Sequence, residues 1–173
     1  EQLFTNLIHL NTGGQVYFCP DLKQIKDYLL DVRPTLFLGV PRVWEKFQAA
    51  LEAQLAETGG LKGWLAGWAR RPHPDAVLEE IDTGQPQRGF LRDKVAAKIL
   101  GGIREKLGMD ELIASATGAA PISRGTLEFF ASLGITVYEG YGMSETTGVA
   151  TCSEYGRPRF GTVGKALEGV TVK

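Results

Sequence analysis

The chain has 173 residues, 43% of them hydrophobic, enough for one domain with its own core. Its 19 Lys and Arg against 20 Asp and Glu leave a formal net charge of -1, so no global field draws it toward nucleic acid or an anionic membrane, and any anionic ligand must be held locally. Cys19 and Cys152 lie far apart and outside any CxxC spacing, which argues against a zinc site or a disulfide framework and fits a reducing compartment.

The chain opens at Glu1 without an initiator Met or signal peptide and closes in the strand-like run VTVK (170–173), so it reads as an internal segment of a longer protein. Its longest apolar runs, such as TLFLGV, are too short to span a bilayer. QVYFC (15–19) has the composition of a strand. Pro20 and Asp21 then open a predicted helix, with Asp21 as N-cap and Leu22, Ile25, Leu29 and Val32 at helical spacing; Arg33 and Pro34 stop it.

TLFLG (35–39) is apolar throughout, as expected of a strand covered on both faces. Pro41 stands where a helix begins, since the first turn does not use its missing N–H, and Val43, Phe47, Leu51 and Leu55 mark that helix's buried stripe. After Gly59 and Gly60, Trp64 and Trp68 share one helical face, a spacing that points to packing against the body. The Pro-rich and polar stretch at about 70–89 reads as a surface excursion. Leu91, Val95, Ile99 and Ile103 predict a further helix, weakened at Gly101 and Gly102 by about 1 kcal/mol each relative to Ala.

ELIASAT (111–117) reads as strand, Ser123 as N-cap of a helix over RGTLEFFASL with Gly134 past its end, and ITVYE (135–139) as strand. The Gly-rich tail after Gly148 suggests short strands and turns. This alternation predicts an α/β fold: a mostly parallel sheet with helices on both faces.

In such a sheet right-handed crossovers bring the loops that follow the strands to one edge, where ligands of open α/β sheets bind. Three loops are candidates: GVPR (39–42), GAAPI (118–122) and GYGMSET (140–146). GAAPI offers residues with little or no side chain, against which a flat heteroaromatic ring could lie; equally, Gly and Ala permit a tight turn. In GYGMSET, Tyr141 could stack on a base, Ser144 offers a hydroxyl to a phosphate and Glu145 a hard oxygen to magnesium. A Gly-rich turn with Ser144 capping a helix is the structural alternative.

Several other motifs fall away. GYGMSE has Glu145 where a dinucleotide fingerprint needs its third Gly, and no GxxxxGK[ST] loop occurs. The segment 142–146 comes within one residue of the GxSxG elbow, but His9 and His73 are the only histidines and neither follows Ser144, as that hydrolase fold requires.

YEGYGMSETTG (138–148) resembles the adenine motif of the adenylate-forming superfamily, which includes acyl-CoA synthetases, luciferases and peptide-synthetase adenylation domains. VRPTLFLGVPRVWEKF (32–47), ATGAAPIS (116–123), LEFFASLGI (127–135) and GTVGKALEGVTVK (161–173) resemble its long-chain fatty-acyl branch, and within it the bubblegum-type synthetases. The resemblance covers essentially the whole chain. It implies that residues 1–173 form the central-to-C-terminal part of the large N-terminal, AMP-binding domain.

By the same resemblance, Tyr141 stacks on adenine, Gly118, Ala119 and Gly140 line the base, and Ala120, Pro121, Glu139, Gly142 and Met143 complete the cofactor-binding set. Ser144 contacts the α-phosphate, where many relatives have Thr, and Glu145 binds magnesium; these two are the implied catalytic pair. Gly39, Val40 and Pro41 are placed near an acyl tunnel. The implied cofactors are ATP (leaving as AMP), Mg2+ and CoA, and the implied substrate is a fatty acid. The location is cytoplasmic, with peripheral membrane association of the full enzyme an open alternative; neither nucleic acid nor a transmembrane segment is expected. The family's phosphate loop should precede Glu1, and its ribose-binding Asp, hinge and catalytic Lys should follow Lys173, so the segment alone is expected to be inactive. Three alternatives stay open: a fatty-acyl-AMP ligase serving a carrier protein, a synthetase for another carboxylic acid, and a catalytically silent AMP-binding or scaffold module.

Overall fold

The computed structural model describes residues 13–57, 98 and 100–172. Among the described residues, five strands form one sheet in chain order: β1 (Leu36–Leu38), β2 (Ala114–Thr117), β3 (Val137–Met143), β4 (Gly148–Cys152) and β5 (Lys165–Ala166). β1, β2 and β3 run parallel, whereas β3–β4 and β4–β5 pair antiparallel. The α/β expectation holds, with an antiparallel extension beside the parallel strands.

Three helices with local sequence signals accompany the sheet: α1 (Ile25–Val32), α2 (Pro41–Glu57) and α3 (Arg124–Ser132). α1 ends as expected at Arg33, which adopts a left-handed φ of 46° and donates its N–H to the Leu29 carbonyl. Its start differs from expectation. Asp21 is no N-cap; its Oδ1 accepts the Lys23 N–H and its carbonyl the Gln24 N–H, forming a turn that delays the helix to Ile25. Ser123 does cap α3, its Oγ accepting the Thr126 N–H at 3.1 Å.

The core lies on the sheet face carrying Phe37, Ser115 and Val137, which stand side by side in register. Trp44 of α2 is fully buried there, its ring meeting Phe37 edge-on at 5.2 Å and Phe130 of α3 at 4.9 Å. Val43, Phe47 and Leu51 follow on the same stripe, and Leu127, Leu133 and Ile135 complete the cluster with Leu29, Leu100, Leu107 and Met109. Ile103 packs against this cluster from a stretch that is helical through both Gly101 and Gly102.

Three strand expectations need correction. QVYFC forms no strand; 13–19 lack regular structure and Phe18 is 70% exposed, because apolar composition makes a strand only where a neighbour completes its ladder. β1 is shorter than TLFLG and is not covered on both faces among the described residues: Phe37 turns inward while Leu36 is 58% and Leu38 46% exposed. Residues 170–172 are not a strand either. Trp64, Trp68, the excursion at 70–89, Leu91, Val95, Ile99 and the side chain of Leu55 lie outside the described residues.

Candidate functional site

The carboxyl ends of β1, β2 and β3 converge through backbone and one side chain. The Gly39 N–H donates to the Ala116 carbonyl at 3.0 Å, joining the end of β1 to β2. Trp44 Nε1 donates to the Gly39 carbonyl at 3.1 Å and reaches the Ala116 carbonyl at 3.4 Å, so the largest of the fully buried side chains also fixes this edge. Gly39 and Pro41 are buried and Val40 packs against the core, so these residues brace the base of the edge.

The turn after β2 meets β3 directly. A Cβ on Gly118 would lie 3.2 Å from the Gly140 carbonyl oxygen, a contact tight enough that any side chain there must displace the neighbouring backbone. Ala119 follows with φ 69°, a left-handed conformation that is unusual for a residue bearing Cβ. Ala119, Ala120 and Pro121 are exposed. The result is a small-residue ledge beside the Gly140 backbone.

GYGMSET is not the loop its glycines suggest. Gly140, Tyr141, Gly142 and Met143 continue β3 and pair with β4, with a register shift between Tyr141 and Gly142. Gly142 is needed there because a Cβ would collide with the Gly148 carbonyl across the ladder. Only Ser144–Thr146 turn, as a single 3-10 turn. Ser144 therefore begins the turn rather than capping it with its side chain. The hydroxyl that organises the turn belongs to Thr146: its Oγ1 accepts the Met143 N–H at 3.0 Å and lies 2.9 and 2.8 Å from the Met143 and Gly148 carbonyls. The sequence reading passed over Thr146; the signal available was a Thr one turn after the strand end, the spacing of a local side-chain cap.

The three side chains with assigned chemistry end up at one rim. Tyr141 is 45% exposed, and Ser144 and Glu145 are exposed beside it. Glu145 makes no ion pair among the described residues. No group of three or more His, Cys, Asp or Glu capable of holding a metal occurs among the described residues. A single open carboxylate still fits magnesium, which keeps several waters and takes most remaining ligands from substrate phosphates.

Glu139 differs from its neighbours. It is only 9% exposed, and its Oε2 accepts the Gly161 N–H at 3.0 Å. Its own N–H donates to Ser153 Oγ at 3.1 Å, and its carbonyl accepts the Ser153 N–H at 2.8 Å. Burial raises its carboxyl above the usual carboxylate range, partly offset by the backbone N–H groups of Gly161 and Thr162. Burial likewise raises the Cys152 thiol on β4 and the Tyr138 phenol, each against a smaller opposing backbone hydrogen bond.

A second concavity of about 190 Å³ opens toward the amino-terminal ends of β2 and β3, lined in part by Arg104, Gly134, Thr136, Tyr138 and Tyr155. It shares no residue with the three loops at the carboxyl rim. Chemistry and parallel-strand topology both favour the rim, because ligands of open α/β sheets collect at the carboxyl ends of the strands.

Residues 1–173 match the family of AMP-binding enzymes. The chain belongs to that family. It is 38% identical over 177 residues to a long-chain-fatty-acid–CoA ligase, ACSBG2, of Xenopus laevis, covering 99% of this chain and 24% of the relative. It is 40% identical over 167 residues to a putative fatty-acid–CoA ligase, fadD11, of Mycobacterium tuberculosis, covering 93% of this chain and 29% of the relative. The chain thus spans about a quarter of the length of these relatives. Among solved structures it is similar to a benzoate CoA ligase from Burkholderia xenovorans, with TM-score 0.46 and 16% identity over 87% of this chain and 20% of that one. It is also similar to the A-PCP didomain of a carboxylic acid reductase from Segniliparus rugosus in complex with AMP, with TM-score 0.45 and 20% identity over 79% of this chain and 15% of that one.

Proposed function

We propose that these residues form the adenine and metal-facing rim of an AMP-forming acyl-CoA synthetase acting on long-chain fatty acids. The observation that carries this reading is the close approach of the Gly118 turn to the Gly140 backbone, with Tyr141, Ser144 and Glu145 exposed alongside. The ledge of Gly118, Ala119, Ala120 and Pro121 offers backbone polar groups to one face or edge of a base, and the Tyr141 ring a surface for stacking. Gly142 and Met143 hold the strand end that carries Ser144, whose hydroxyl is free to donate to a phosphate oxygen. Glu145 would hold Mg2+ together with phosphate oxygens, and the ion would neutralise charge developing at phosphorus.

In this reading the fatty carboxylate attacks the α-phosphorus of ATP, releasing pyrophosphate and leaving an acyl-adenylate; the CoA thiol then attacks the acyl carbon and AMP departs. The work of these residues is positioning and charge stabilisation rather than covalent chemistry. Fatty-acid substrate class and CoA as acceptor rest on the relatives' names; Gly39, Val40 and Pro41 would border the acyl end. Among the described residues no helix is long and apolar enough to cross a membrane. Two free cysteines fit a cytoplasmic setting.

The test is product analysis with the full-length protein containing these residues. Supplied with ATP, Mg2+ and acids from C8 to C20, it is expected to form CoA thioesters and AMP, with preference for the longer chains. Acyl-adenylate that passes only to a pantetheinylated carrier protein would contradict the CoA assignment, and best turnover with aromatic or short acids would contradict the chain length.

A further inference from the structure

Glu139 is the one residue of the implied nucleotide set whose functional group turns into the body of the protein. On β3 it shares a face with Val137 and Tyr141, so it stands two residues before the ring assigned to the base, on the same side of the strand. Its backbone N–H and carbonyl are both bonded to Ser153, itself only 9% exposed, through the hydrogen bonds at 3.1 and 2.8 Å. Its carboxylate holds the Gly161 N–H, and Gly161 adopts φ 78°, a conformation that turns this N–H out of the regular backbone path. Phe160, next to it, packs against the hydrophobic core. The Thr162 N–H and hydroxyl continue the turn, both bonded to the Arg159 carbonyl, at 3.2 and 2.8 Å.

We propose that Glu139 is a positioning residue: its carboxylate fastens the 159–162 turn to β3 two residues before Tyr141 and thereby fixes the strand end that presents Tyr141 and Ser144, without itself touching the nucleotide. This rests on the reading of the rim as a nucleotide site. A carboxylate is suited to the task because charge-assisted hydrogen bonds to backbone N–H groups are shorter and stronger than neutral ones, and one side chain can accept more than one.

The test uses the full-length protein as wild type, Glu139→Ala and Glu139→Gln, with circular dichroism to verify folding. Amide hydrogen exchange at Gly161 needs no nucleotide: it is expected to speed up by about tenfold or more in Glu139→Ala and much less in Glu139→Gln, whose amide oxygen can still accept. Unchanged exchange at Gly161 in Glu139→Ala overturns the proposal. For binding, the KM for ATP is expected to rise in Glu139→Ala, with kcat changing less and Glu139→Gln restoring most of the loss. The ratio of KM for ATP to that for purine riboside triphosphate, which lacks the 6-amino group, is expected to stay as in wild type in both variants. Selective loss of the preference for ATP would mean that the carboxylate meets the base, and would overturn the positioning role. Should wild type bind no nucleotide, the rim's assignment fails while the exchange measurement still decides the fastening.

Discussion

Gly118 and Gly140 meet backbone to backbone: a Cβ on the first would lie 3.2 Å from the carbonyl oxygen of the second. Two segments more than twenty residues apart are thereby locked into one ledge, and the missing side chain leaves that ledge flat. Gly118→Val is expected to weaken ATP binding by at least about tenfold, with a stability loss of about 1–3 kcal/mol from the displaced backbone. Gly142→Ala is expected to cost more stability than Gly118→Ala, because its Cβ would strike the Gly148 carbonyl inside a paired strand. Denaturant unfolding and nucleotide titration of the three variants check the order.

Trp44 links the core to the same edge through Gly39 and Ala116. Trp44→Ala is expected to destabilise by about 3–5 kcal/mol from lost burial. Trp44→Phe keeps much of the apolar contact but leaves the Gly39 carbonyl without its side-chain donor, for a smaller loss of about 1–3 kcal/mol. Chemical denaturation distinguishes the two.

Ala119 holds a left-handed φ of 69° at the ledge. Relief of that conformation by Ala119→Gly is worth about 1 kcal/mol, reduced by the greater freedom glycine gives the unfolded chain. The net expectation is a stability change between zero and about 1 kcal/mol in the favourable direction, measured by unfolding midpoint. A clear loss of stability would show that the Ala119 methyl group packs productively despite its backbone.

Two carboxylates of the chain respond oppositely to pH. Glu139, raised by burial, contributes stability that is fully present below its unfolded pKa and is lost as pH rises through its folded value. Glu154, lowered chiefly by its hydrogen bond to Lys165 and by that lysine's charge, contributes stability present above its unfolded pKa and lost as pH falls through its folded value. The stability difference between Glu139→Gln and wild type is therefore expected to shift in favour of the variant from about pH 4 to pH 6, where carboxylates ionise. A difference that stays flat over that window would mean the buried carboxyl titrates as it does in the unfolded chain. The penalty for ionising Glu139 in place is consistent with a residue kept for geometry rather than for stability.

What the sequence made legible was local. Pro41 opens α2, Arg33 closes α1 and Ser123 caps α3, because each signal acts within one turn of the chain. The α/β alternation was readable for the same reason, as were the segments that become β1, β2 and β3. Pairing was less readable. QVYFC has strand composition but no regular structure, and the glycines of 140–142 suggested a loop where β4 supplies a partner strand. Asp21 could cap a helix or make a turn, and only the wider context chose the turn. The inward carboxylate of Glu139 depends on a turn more than twenty residues away, so its neighbours in the motif gave no hint of it. Tyr141, Ser144 and Glu145 are all exposed, at the end of β3 and in the turn that follows it.

Glu145 offers the most direct test, because it is exposed, lacks an ion pair among the described residues and carries the charge assigned to magnesium. ATP–pyrophosphate exchange by the full-length protein with a long-chain fatty acid is to be compared between wild type and Glu145→Ala, alongside their unfolding midpoints. The account predicts an exchange rate reduced by about a hundredfold or more at an unchanged midpoint. Wild-type exchange in the variant would contradict it.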